Sequence, residues 1–340
     1  MNRSLVSRVQ AGETLTRAEA DALMEELLSG AIATPEIVRM LRAMNARPYE
    51  VEEVVGFALA MRRNAARVFA DGERLAGLVD TCGTGGGYSR AFNISTAAAI
   101  VAAAAGARVA KHGNRSSTSL CGSADVLEAL GVRVDLPIER AGQAIREIGI
   151  GFLFARTAHS SMRHVIPARR EIGGRTVFNL LGPMTNPAGA ESQVVGVFAI
   201  EVIDLMAQAL AKLGVRRAFV VHGADGLGEI SLSGETFVAE VRDGAVKRFT
   251  VTPEEFGVAR SPLEAVSGGA SREENAAMIR GVLAGENGPR RDVVVMNAAA
   301  ALVASGATQD FLAAVRLAGE AIASGAARKK LATLVAFTAA

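Results

Sequence analysis

Two polar runs stand directly behind short apolar stretches, an arrangement in which side chains and backbone N–H groups can meet an anion. The first is Asp80-Thr81-Cys82-Gly83-Thr84-Gly85-Gly86-Gly87, after Leu78-Val79. Glycine reaches φ > 0 at no steric cost and lets backbone N–H groups approach a charged group with no side chain in the way. Asn93-Ile94-Ser95-Thr96 follows and opens a helix whose unpaired N–H groups and dipole favour negative charge. A Gly run alone is as readily a plain turn; the hydroxyl-bearing helix start makes this one a candidate phosphate site. The second run, Lys111-His112-Gly113-Asn114-Arg115-Ser116-Ser117-Thr118-Ser119, offers a point cation, a guanidinium fork, an amide and four hydroxyls. Its alternative reading is a solvated polar loop. Both runs fall at the C-terminal ends of expected strands, where open α/β sheets bind ligands, and this favours the functional reading.

Two further segments are weaker taken alone. Ala155-Arg156-Thr157-Ala158-His159-Ser160-Ser161-Met162, with Arg169, Arg170 and then Arg175 to Pro187, reads first as a charged helix face. His222-Gly223-Ala224-Asp225-Gly226-Leu227-Gly228-Glu229-Ile230-Ser231 reads first as a turn with surface acids. Its carboxylates, Asp225 and Glu229, would also suit Mg²⁺, a hard cation that usually shares its coordination with substrate phosphates.

The elements that must position these runs fall into two styles. The first ~70 residues read as helices only. Thr16 and Glu19 form a capping box before Leu23, Met24, Leu27 and Leu28; Thr34-Pro35 opens the next helix; a third is expected over residues 51–68. From Leu78 short apolar strands alternate with helices: strands at 78–80, 108–110, 151–154, 194–198 and 218–222, with helices from about Ser95, over 124–130 and over 202–213. That alternation predicts a mostly parallel sheet covered by helices. Residues 237–249 read as an antiparallel hairpin turning at Asp243-Gly244, Thr252 to Glu255 and Ser271 to Glu274 as two more capping boxes, and the tail as helical. Residues 164–184 are helical again and interrupt the α/β pattern. The expected fold is therefore a small all-helical N-terminal domain (residues 1–72 and about 164–186) and a larger α/β domain (73–163 and 187–340).

Bulk properties narrow the function. The 340 residues are half hydrophobic with no Trp, so Ala, Val and Leu must build the core, and the length suits two lobes. A net charge of +2, from 37 basic and 35 acidic residues, supplies no broad cationic field for nucleic acid or an anionic membrane. Any anion site must be local. Cys82 and Cys121 sit in unrelated contexts and suggest neither disulfide framework nor zinc site. The N-terminus lacks a signal peptide's apolar core, and the longest apolar run, from Ile94, is too short to span a bilayer. A cytoplasmic protein is expected.

Taken in order, the segments resemble those of the anthranilate phosphoribosyltransferases over nearly the whole chain. The most specific matches are Gly83-Thr84-Gly85-Gly86, Asn93-Ile94-Ser95-Thr96, Lys111 to Ser116, Gly122 to Glu128, and Phe178-Asn179-Leu180-Leu181-Gly182-Pro183 with Thr185-Asn186-Pro187. The resemblance implies a homodimer joined through the helical domain, with the active site in the cleft between domains. It implies transfer of 5-phosphoribosyl from phosphoribosyl pyrophosphate (PRPP) to the amine of anthranilate, a step of tryptophan biosynthesis, with Mg²⁺ as cofactor. By the same resemblance, Gly83, Gly86, Gly87, Asn93, Ser95, Thr96, Lys111 and Ser119 contact PRPP. Asn114, His159, Arg169 and Pro183 contact the aromatic acid; Ser95 and Glu229 hold the metal. No residue is assigned as acid or base, because an arylamine is neutral at pH 7 and sheds its proton readily after attack.

Three positions depart from the family pattern. Gly87 stands where an Asp is usual, Gly228 replaces the Asp of an Asp-Glu pair, and Arg156 replaces a proline beside the acceptor channel. They keep two alternatives open: a paralogue using another aromatic acid, and a weakly active binding protein. A related nucleoside phosphorylase shares the Gly loop and the Lys-His-Gly-Asn-Arg run, but the match through Pro183 and Asn186 favours the transferase.

Overall fold

The computed structural model describes residues 4–70, 73, 75–86, 90–116 and 121–340. One seven-stranded sheet carries the larger lobe: β1 (Leu78–Asp80), β2 (Arg108–Gly113), β3 (Ile150–Phe154), β4 (Ser192–Gly196), β5 (Arg217–Gly223), β6 (Thr236–Arg242) and β7 (Ala245–Val251). Their spatial order is β3-β2-β1-β4-β5-β6-β7. β1 to β5 are parallel, and β6 and β7 pair antiparallel at one edge. From β1 the chain runs outward to β2 and β3, then returns to lay β4 on the other side. The order therefore reverses between β1 and β4, and beyond the strand C-termini at such a switch point open α/β sheets bind their ligands.

The expected helical first lobe is present. The Arg17–Ser29 helix is capped as anticipated, Thr16 and Glu19 each accepting the other's backbone N–H. Helices Leu5–Gln10, Arg17–Ser29, Thr34–Asn45 and Val51–Arg63 share one apolar core with helices Ile166–Ile172 and Val177–Met184. That core continues without a break onto the Ile203–Lys212 helix and one sheet face, through Val195, Val220 and Val241. The opposite sheet face is covered by Ile94–Ala104 and Pro289–Ser305, helices apolar nearly all round and so buried nearly all round. This explains the apolar run from Ile94: it is a core helix. Among the described residues no helix is long and apolar enough to cross a membrane.

Some boundaries differ for identifiable reasons. The helix expected over residues 51–68 stops at Arg63, because the Asn64 amide bonds back to the Ala60 carbonyl and Ala66 N–H turns to Ala158 O. The strand expected at 194–198 is Ser192–Gly196; Val197 N–H still reaches Val221 O of β5 at 3.0 Å, and at Phe198 the N–H turns to the Thr84 hydroxyl. β2 runs on through Gly113, so Lys111 and His112 belong to a strand paired with β3 and not to a solvated loop. At Ser271 the box is incomplete: Ser271 caps Glu274 N–H, while the Glu274 carboxylate accepts from Ala270. The hairpin turns at Asp243-Gly244 as read, both residues at positive φ.

Candidate active site

Three backbone segments converge at the reversal point, and two of them can do so only as glycine. A Cβ on Gly83 would lie 2.8 Å from Gly196 O, and one on Gly196 would lie 1.6 Å from Gly228 O. The β1 loop is stapled over β4 by Thr84, whose N–H reaches Gly196 O at 2.9 Å while its hydroxyl accepts from Phe198 N–H at 3.1 Å. Glycine spacing thus brings the Gly loop, the end of β4 and the 223–231 loop to one place.

Beneath the loop lies a buried polar network. Asp80 Oδ1 accepts from His112 N–H at 3.0 Å, and Oδ2 accepts from the Asn186 amide at 2.7 Å. Burial raises the Asp80 carboxyl to about 6 against the pull of Asn186 and Lys111. Lys111 donates to the Thr81 hydroxyl at 3.0 Å, and that hydroxyl donates to Ser95 O at 3.1 Å. Desolvation holds the Lys111 ammonium below its ordinary range, while Asp80, Cys82 and Glu229 oppose the shift.

At the start of the Ile94–Ala104 helix, Asn93 donates to Cys121 O at 3.0 Å and leaves its own Oδ1 buried without a protein partner. The Thr96 hydroxyl is buried and unpartnered as well. Buried polar atoms are nearly always satisfied, so at these two the bonding is open to water or to a bound group. Glu229 faces Ser95, whose hydroxyl and N–H favour its charged form. Burial outweighs them and lifts the carboxyl to about 7. Lys111 also opposes the rise, and a partly buried carboxylate beside a hydroxyl oxygen is a donor set that fits Mg²⁺. Asp225 is not part of it. Its oxygens accept from Leu227 N–H and from the Ser231 and Ser233 hydroxyls, so it shapes its own loop.

Two of the residues read as acceptor contacts, His159 and Pro183, lie by His112 of β2 and the Gly182 turn. The His112 and His159 rings pack edge to face with centroids 5.2 Å apart. His112 Nδ1 lies 3.1 Å from Gly182 O, which can only accept, so Nδ1 carries the proton and Nε2 a free lone pair. Burial lowers His112 to about 3 and His159 to about 4, so both are neutral at pH 7. Pro183 follows Gly182 in the Val177–Met184 helix, and its carbonyl is fixed by the Gln193 amide at 2.6 Å. Arg169 lies 5.4 Å over the Phe178 ring, one helical turn before Gly182. Burial lowers its pKa, and no carboxylate among the described residues pairs with it. Asn114 is exposed at the end of the same β2 run.

The structure thus links Lys111, Ser95 and Glu229 in one cluster, Gly83 to the end of β4, Gly86 to Arg175, His159 to His112 beside the Gly182-Pro183 turn, and Arg169 to Phe178. Gly87 and Ser119 lie outside the described residues. Arg115, read as an anion-binding fork, is instead committed to Asp125 at 3.0 Å and Glu128 at 2.6 Å. His112, Asp80 and Asn186 were given no role by sequence; the signal available was that each lies inside a run already singled out.

Two family models cover the chain: "Glycosyl transferase family, helical bundle domain" over residues 3–65, and "Glycosyl transferase family, a/b domain" over residues 75–328. The anthranilate phosphoribosyltransferase of Symbiobacterium thermophilum is 48% identical over 99% of this chain and 97% of its own length. That of Pelotomaculum thermopropionicum is 49% identical, with 99% and 97% covered. A crystal structure of anthranilate phosphoribosyltransferase from Thermus thermophilus superposes with TM-score 0.93 at 46% identity, covering 99% of this chain and 100% of that one. The Saccharomyces cerevisiae enzyme in complex with PRPP and Mg superposes with TM-score 0.87 at 27% identity, with 98% of each chain covered.

Proposed function

The chain belongs to the anthranilate phosphoribosyltransferase family, and we propose that the crevice between β1 and β4 holds PRPP while the His112–His159 side holds the acceptor. The reaction is transfer of 5-phosphoribosyl from PRPP to the anthranilate amine, releasing pyrophosphate, with Mg²⁺ as cofactor. The observation that carries the site assignment is the unpartnered pair Asn93 Oδ1 and Thr96 Oγ1 at a helix start, under a glycine loop, on the reversal point of the sheet.

The leaving group is a polyanion, so alignment and electrostatic stabilisation dominate the chemistry. The loop N–H groups at Gly83 and Gly86, the Ser95 helix start and Lys111 face the donor. Ser95 and Glu229 would hold Mg²⁺, which when bound neutralises charge developing on pyrophosphate. Gly228 contributes no side chain to it. Arg169, unpaired over Phe178, forks onto the acceptor carboxylate, recognition that a lysine could not reproduce. Asn114, His159 and Pro183 line the rest of the acceptor site. His112 Nε2, with its lone pair free, accepts from the arylamine. Gly87 and Ser119 are assigned to PRPP by resemblance.

The Ile166–Ile172 and Val177–Met184 helices are assigned to the helical domain, which they join through its shared core, and that domain makes the contact of a homodimer. The experiment is pyrophosphate release from PRPP and Mg²⁺ across a panel of aromatic acids. Anthranilate is expected to lead; activity with another acid alone would overturn the acceptor assignment.

A further inference from the structure

The turn between the Ile166–Ile172 and Val177–Met184 helices carries Arg175, to which neither the donor nor the acceptor assignment gives a role. Its backbone is fixed by the helical bundle: Asn45 Nδ2 donates to Arg175 O at 2.8 Å, and the Tyr49 hydroxyl donates to Asn45 Oδ1 at 2.5 Å. Its side chain crosses to the sheet lobe, where Nη2 donates to Gly86 O and the guanidinium lies 4.4 Å from the centre of the Phe198 ring. Phe198 is itself tied to the loop through the Thr84 hydroxyl. Gly86 stands at φ +75°, and a Cβ there would lie 2.9 Å from Arg175 Nε. The left-handed backbone at 86 favours glycine, and the arginine side chain lies directly across it.

We infer that Arg175 is a donor-positioning residue, coupling the Gly loop to the helical bundle and giving its guanidinium to the pyrophosphate of PRPP. The inference rests on the reading of the crevice as the PRPP site. The present partner of Nη2 is a neutral carbonyl. A phosphate oxygen accepts a charge-assisted bond roughly twice as strong and suits the planar fork, so an anion at the loop takes the guanidinium over. The side chain is exposed, and no carboxylate among the described residues competes for it. Phe198 stays under the guanidinium plane through the exchange as a cation–π platform. Asn45 and Tyr49 hold the arginine's backbone while its tip changes partner.

The test compares wild type, Arg175→Ala, Arg175→Lys and Asn45→Ala by PRPP titration calorimetry with Mg²⁺ and by steady-state kinetics. Arg175→Ala is expected to raise Kd and KM for PRPP about 10–100-fold. The anthranilate KM should stay near wild type, and kcat should fall less than the PRPP terms. Arg175→Lys restores part of the affinity, since a point charge replaces the fork. Asn45→Ala, with the guanidinium intact, raises the PRPP KM by a smaller factor in the same direction. A folded Arg175→Ala protein with wild-type PRPP affinity overturns the inference, as does a lowered melting temperature as the sole effect. Should Arg175→Ala fail to fold, unchanged PRPP KM in both other variants overturns it equally. A wild type that binds no PRPP would sink the underlying reading and this inference together; an active wild type with an indifferent Arg175→Ala sinks this one alone.

Discussion

At the scale of the residue, the site is a set of groups held away from their ordinary ionisation. Arg169 is the clearest, a half-buried guanidinium with an aromatic ring beneath it and no carboxylate against it. Arg169→Ala should raise the anthranilate KM by about 10–150-fold, corresponding to about 1.5–3 kcal/mol for a charge-assisted bond, with the PRPP KM unchanged. Equal acceptor KM values in the two proteins would remove Arg169 from the site. Glu229 makes a second prediction, through pH. Its folded carboxyl sits at about 7, above the 4.5 of a free glutamate, so folding takes up a proton between those values. Its contribution to stability is complete below pH about 4.5 and is lost as pH rises through about 7. Glu229→Gln lacks that loss, so its melting temperature relative to wild type should climb between pH 5 and 7.5 without Mg²⁺. Taking the difference between the two proteins cancels the opposite trend of His112 and His159, whose lowered values make stability rise with pH in the acid range. A flat difference would show that the burial of Glu229 carries no such cost.

At the scale of the element, strand ends and glycines set the geometry. Gly196→Ala places a Cβ 1.6 Å from Gly228 O, a backbone contact that cannot relax by a rotamer change. It should cost about 1–3 kcal/mol or more and lower activity in proportion, read by urea unfolding alongside kinetics. Gly228→Asp is the contrasting case. Its Cβ would find its nearest neighbour, Val197 O, at 3.4 Å, and its φ is not left-handed. It should fold and shift the magnesium titration of activity to lower concentration, and an unmoved curve would show that position 228 does not limit the metal. Much of this level is legible in the sequence. Helix caps, the Asp243-Gly244 hairpin and the alternation of strands and helices are local chemistry, and so were the loops. What escaped was decided by partners far along the chain. β2 continues through Lys111 and His112 because Asp80, Thr81 and Gly182 satisfy their polar groups. Arg115 is withdrawn from anion binding by Asp125 and Glu128, and Arg175 is drawn to Gly86 across 89 residues. Apart from Arg115, whose partners stand only 10 and 13 residues on, no short window contains such pairs.

At the scale of the whole molecule, two lobes share a continuous apolar core, and the crevice lies where the sheet reverses its order. A dimer joined through the helical lobe predicts a sedimenting mass of about twice the 35.2 kDa chain; a single species at the chain mass would contradict it. Near-neutral overall charge, with 37 basic residues set against 35 acidic ones, fits small anionic substrates better than a polymer. The central claim is that one crevice joins a pyrophosphate-leaving donor to an aromatic acid, and steady-state pyrophosphate release with PRPP, anthranilate and Mg²⁺ tests it most directly. Saturable release is predicted, dependent on all three components, abolished by chelating the metal and shifted in anthranilate KM alone by Arg169→Ala. Release that ignores anthranilate, or none at any magnesium concentration from a protein that binds PRPP, would contradict it.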